Sequence, residues 1–177
     1  DDATPRRPSR RVQAVDEVFG VRGFSTDWSQ HRYSTDSGIA HELVRSDRGH
    51  PPTADELAAF RARFEQLLHA AHAKAPEGLR PVAGGCELIA ALRSGGWTVA
   101  VATGSWRCTA TWKLALAGVD PARMPLATAD DALDRADILR IAIRRAVAAT
   151  RQAISPRFAI RIFLNIPKPS PAAMAAP

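Results

Sequence analysis

Residues 95–106, GGWTVAVATGSW, restrict the fold of this chain more than any other stretch. Apolar residues run almost unbroken from Trp97 to Ala102 and stop at Thr103-Gly104-Ser105. A strand with one wet face alternates apolar and polar side chains. A continuous run predicts a strand covered on both faces, as in parallel sheets. Helical patterns flank it. One helix spans about residues 84–93 and ends at Gly95-Gly96, a common C-terminal signal. Another starts near Ser105 and ends at Gly118. Residues 124–128, MPLAT, read as a second short strand, and a third helix opens at Asp134 and runs to about Ala149. Residues 157–164, RFAIRIFL, read as a third strand. Strand–helix alternation of this kind predicts an α/β fold with a parallel, doubly wound sheet. Ligands then bind outside the carboxyl ends of the strands.

The first half has a different pattern. Residues 12–19 fit one short helix, and STDWSQHRYSTDSG is a polar connection rich in capping residues. Asp36 or Ser37 starts a helix with Ile39, Leu43 and Val44 as its apolar positions. The clearest helix follows RGHPP, where Thr53 and Glu56 have the spacing of a capping box. Leu57, Phe60, Phe64, Leu67, Leu68 and Ala71 share one face, and Arg61, Arg63, Glu65 and Gln66 the other. The expected organisation is a disordered or cut end over residues 1–11, a helical unit over 12–78, an α/β unit over 79–166, and a disordered Pro/Ala tail over 167–177.

Composition narrows the function classes. The chain has 177 residues, 46% of them hydrophobic, which suits one globular domain. No stretch is long and apolar enough to span a membrane. DDATPRRPSRR has no apolar core, so it is not a secretory signal, and a cytoplasmic location is the default expectation. Cys86 and Cys108 match neither a disulfide framework nor a metal box and read as small core thiols. The net charge of +6 raises the possibility of a nucleic-acid partner. However, the arginines are scattered over the tail (Arg6, Arg7, Arg10, Arg11) and a later helix (Arg140, Arg144, Arg145, Arg151), and no aromatic residues interleave with them as a base-stacking platform needs. A solvated basic face is the preferred reading.

Several residues are candidates for chemistry. The Thr103 and Ser105 hydroxyls, with backbone N–H groups at a helix start, suit a phosphate oxygen; alternatively, Ser105 only caps the helix. Asp134 can cap the third helix with Asp137 at its third position, which places Arg135 at the ligand edge to hold an anion; alternatively, Arg135 is an exposed residue of a charged turn. His69 and His72 lie three apart, but no further cysteine or histidine completes a metal set, so they read as solvated. No Walker loop, G-x-S-x-G elbow or G-x-G-x-x-G is present.

The order of these parts resembles the haloacid dehalogenase superfamily of phosphatases and related hydrolases, over about residues 12–164. PVAGGCELIAALRSGGWTVAVATGSW looks like the family's second motif, an apolar strand closed by Thr or Ser. The resemblance implies that Thr103 holds the transferring phosphoryl group, with Gly104 and Ser105 contributing to substrate binding. LATADDALDRADILRIAI resembles the third-motif region, where Arg135 matches the cation beside nucleophile and phosphate. YSTDSGIAHEL falls in what resembles the helical cap that chooses substrates, so Asp36, Ser37 and His41 are candidate substrate contacts. The implied fold is a Rossmann-like core plus a helical cap, and the implied ligands are a small phosphorylated metabolite and Mg²⁺.

The departures from the family lie at both ends. The family's Asp-x-Asp pair ends a first strand before the cap, whereas only DDATPRRPSRR precedes it here, and Asp1 and Asp2 are adjacent and follow no strand. The acidic Mg²⁺ ligands belong after the last strand, yet no acidic residue lies beyond Asp137. The nucleophile and the general acid are both expected from that pair. The expectation is therefore an incomplete core without its first strand and a chain without turnover, through truncation, a frameshift, or service as an anion- or partner-binding pseudoenzyme.

Overall fold

The computed structural model describes residues 9–152. Six helices and two very short strands follow one another as α1 (Arg10–Phe19), α2 (Asp36–Arg48), α3 (Ala54–Lys74), α4 (Gly85–Ser94), β1 (Val101–Ala102), α5 (Arg107–Leu116), β2 (Leu126–Ala127) and α6 (Arg135–Gln152). Local chemistry explains the helix starts. Ser9 accepts the Val12 amide at the head of α1, and Thr35 accepts the Gly38 amide at the head of α2. Thr53 and Glu56 close a reciprocal capping box on α3, which satisfies two otherwise orphaned donors. Asp134 accepts the Ala136 amide at 2.7 Å, and α6 starts at Arg135.

The doubly wound sheet is not formed among the described residues. The described chain is mainly helical, and its sheet consists of β1 and β2 alone, parallel, with Val101 opposite Leu126 and Ala102 opposite Ala127. An apolar run becomes a strand only where its backbone finds a partner. Val101 donates to Pro125 and Thr103 to Ala127, at 2.8 and 3.0 Å, while residues 97–100 lie outside the ladder. Trp97 is 39% exposed, and residues 98–100 are half-buried, so the run is not covered on both faces. The third strand expected at residues 157–164 lies outside the described residues.

A helical cap seated over a separate Rossmann-like core is not seen either. The largest apolar cluster joins Val15 and Phe19 of α1, Ile39 and Val44 of α2, and Phe60 and Phe64 of α3 to Trp106 and Ala129 from the second half. The Trp106 ring meets Phe60 and Phe64 edge-on, with centroids 5.3 and 5.9 Å away. Such pairs add about 0.5–1.5 kcal/mol each beyond burial. A smaller cluster of Ala127, Ile138 and Ala142 fixes α6 on β2. No described helix is long and apolar enough to cross a membrane.

Candidate functional site

The carboxyl ends of β1 and β2 are met by residues 34–37, the turn that leads into α2. The Asp36 amide donates to the Gly104 carbonyl at 2.7 Å. Thr35 Oγ1 donates to the Leu133 carbonyl at 2.6 Å, and Ser37 Oγ to the Ala129 carbonyl at 2.8 Å. The Trp106 indole N–H donates in turn to Ser37 Oγ at 2.8 Å. Thr35, Asp36 and Ser37 are all buried, so each hydrogen bond here satisfies a polar group that would otherwise be costly to bury.

Gly104 makes this approach possible. A Cβ at this position would lie 2.8 Å from the Ser34 carbonyl oxygen and 3.2 Å from the Thr35 Cα. Both neighbours are backbone, so a side chain here would force the turn off the strand ends.

Gly104 and Arg135 meet at this edge, and Thr103 immediately precedes Gly104 in the chain. Arg135 Nε donates to Ser34 Oγ at 2.8 Å and Nη2 to the Ser34 carbonyl at 3.0 Å. The same Nη2 lies 3.1 Å from where a Gly104 Cβ would be. The guanidinium has no carboxylate partner among the described residues. Thr103 Oγ1 accepts the Ser105 amide at 3.2 Å, which leaves its hydroxyl proton to donate elsewhere.

Ser105 does not cap α5; Trp106 occupies that position, with no side-chain cap bond. Two carboxylates fill the role from outside. Asp36 Oδ2 accepts the Trp106 amide at 3.2 Å, and Asp130 Oδ2 accepts the Arg107 amide at 2.6 Å. Negative charge is favoured at a helix N-terminus, so the protein's own acids take the place an outside anion would have used. Arginines from the first half back both acids: Arg11 pairs with Asp36, and Arg61 with Asp130 at 2.7 Å. Arg61 also lies over the Trp106 ring, 5.8 Å from its centroid.

Asp36, expected at a substrate, is therefore an internal strut, 3% exposed. Burial pushes its carboxyl above the ordinary value, outweighing the pull of Arg11 and the Trp106 amide. The strut's partners Arg11 and Arg61 were not legible as such. Arg11 stands in a run that reads as a charged tail, and Arg61 on a helix face that reads as solvated. Ser37 is buried in the same seam, and His41, half-buried, has its pKa lowered by burial and by Arg45. His69 and His72 flank Trp112, with ring centroids 4.4 and 5.3 Å from it.

The acids of this region do not fit the magnesium ion that the resemblance implies. Asp36 is held by Arg11, Asp130 by Arg61, and Asp131 by Arg145 at 2.7 Å. No group of three His, Cys, Asp or Glu side chains among the described residues is placed to hold a metal. No family model matches this chain, and neither a curated protein nor a solved structure matches it.

Proposed function

We propose that this chain is a non-hydrolysing relative of the haloacid dehalogenase phosphatases, binding a small phosphorylated metabolite at the edge formed by Thr103, Gly104 and Arg135. The observation that carries this reading is Arg135, oriented by two hydrogen bonds to Ser34 and left without a carboxylate partner among the described residues. A planar guanidinium fixed in this way presents its remaining N–H groups to a phosphate in a set geometry. The Thr103 hydroxyl, one residue before Gly104 and with its proton uncommitted to Ser105, is the second donor of this reading. Phosphoryl transfer would also need a free carboxylate nucleophile and a proton carrier at this edge. Asp36 and Asp130 are both engaged by an arginine and a backbone amide, and neither is available for either role.

Calorimetric titration with p-nitrophenyl phosphate, combined with an assay of its hydrolysis in Mg²⁺, tests both halves. Saturable binding is expected, weakened about tenfold or more by Arg135→Ala, as loss of a charge-assisted pair implies. Thr103→Ala should weaken it less. No p-nitrophenol should appear. Turnover that Thr103→Ala abolishes would overturn the non-hydrolysing half, and binding indifferent to Arg135→Ala would overturn the site.

A further inference from the structure

A concavity lies between α4 and the loop that follows α5. Its volume is about 470 Å³, within the range of small-molecule sites. Ile89 and Ala90 of α4 and Val119 of the loop give it an apolar wall, and Arg93 and Arg123 stand at its margin.

The polar groups of this lining are divided by sign. The Cys86 thiol donates to the Ala117 carbonyl at 3.2 Å, and Ser94 Oγ to the Ala91 carbonyl at 3.0 Å. Asp120 accepts the Ala122 amide through Oδ1 at 3.0 Å, and its second oxygen has no partner among the described residues. The last carbonyls of α4 are also taken. Ala91, Leu92 and Arg93 accept the amides of Gly95, Trp97 and Gly96, each at 3.0 Å. The Arg93 and Arg123 guanidiniums have neither a hydrogen-bond nor an ion-pair partner among the described residues. The groove thus combines an apolar wall with two guanidiniums against the single carboxylate of Asp120, which leaves its lining net positive.

We propose that this groove binds a small amphiphilic anion, a carboxylate or sulfonate with an aliphatic or aromatic body. The body lies on Ile89, Ala90 and Val119, and the acid group faces Arg93 and Arg123. The site is independent of the Thr103–Arg135 edge.

The test is a fluorescence titration of the purified chain with 8-anilinonaphthalene-1-sulfonate, using N-phenyl-1-naphthylamine as a probe with a similar body and no charge. The sulfonate should bind at least tenfold more tightly than the amine. Octanoate should displace it. The double variant R93Q/R123Q should weaken sulfonate binding tenfold or more and leave the amine unchanged. Ala90→Phe, which fills the groove without touching the charges, should weaken both probes, and it keeps the test decisive if the double variant does not fold. Arg135→Ala should change nothing here, so the two sites can fail separately. Equal affinity for both probes, no displacement by octanoate, or sulfonate binding that follows Arg135 instead of Arg93 and Arg123 would overturn the proposal.

Discussion

Helices α2 and α4 show how little apolar content alone decides burial. By composition α4, GCELIAALRS, is the more apolar of the two, yet none of its residues is buried. Helix α2, DSGIAHELVRSDR, is rich in charge and buries Asp36, Ser37, Gly38, Ile39, Ala40, Leu43 and Val44. The difference lies in what each helix meets. The first turn of α2 enters a seam in which every buried polar group finds a partner, and its apolar stripe meets α1, α3 and Trp106. Among the described residues helix α4 borders the open groove and touches the end of α5 through Cys86, and Leu88 remains 41% exposed. Burial follows the availability of a packing partner more closely than it follows hydrophobicity.

The sharpest way to break this comparison is to remove the residue that joins the two halves. Trp106→Ala should cost about 3–5 kcal/mol, the usual range for deleting a buried large aromatic. It also removes the donor that Ser37 accepts. Urea denaturation would measure the loss as a shift in midpoint. A loss below about 1 kcal/mol would mean that the shared core is not what unites the halves.

A smaller effect is expected at the outer edge of β2. Asp131 accepts from Arg145 and from the Thr128 amide, and the Arg145 guanidinium holds its pKa near 2, below the ordinary 3.8. A depressed carboxylate stabilises the fold above its unfolded value, and that stability is lost as pH falls through the folded value. The contribution should therefore be complete above about pH 4 and fade towards pH 2. Asp131→Asn should cost about 1–2 kcal/mol at pH 7, after allowance for the half-exposed arginine. The difference between wild type and variant should shrink on acidification. Glu56 is also held near 2, so only that difference isolates Asp131. A difference that stays constant from pH 7 to pH 2 would remove the ion pair from the account of this edge.

The smallest effect belongs to the α4 side. Val82, just before the helix, is 82% exposed. Val82→Ser should change stability by no more than about 0.5 kcal/mol. A cost above about 1 kcal/mol in the same urea titration would show that α4 is covered in solution and would erase the contrast with α2.

Much of the helical layout was legible because its causes are local. Thr53 and Glu56 announce the start of α3, and Asp134 places Arg135 at the head of α6. The position of β1 was legible as an apolar run, but its extent was not. A strand needs a neighbour, and one-dimensional hydrophobicity does not say how many neighbours exist. The expectation of a wide parallel sheet therefore reduced to two residues on each of two strands. At the candidate site, the approach of Arg135 to Gly104 runs through Ser34, which accepts both of its hydrogen bonds from about a hundred residues away. The use of Asp36 and Asp130 as caps for α5 joins residues about seventy and twenty positions away from their targets, and no local pattern encodes that.

By itself, the sequence determined where helices begin, which stripes are apolar, and that a hydroxyl and a glycine close the run at Thr103. These depend on neighbours within a turn or two of chain. Only the tertiary structure decided that Asp36 is a buried strut, that Trp106 belongs to the core of the first half, and that α4 buries none of its residues among those described. Those outcomes depend on which distant surface each residue meets, since only such a partner can replace the water that burial removes.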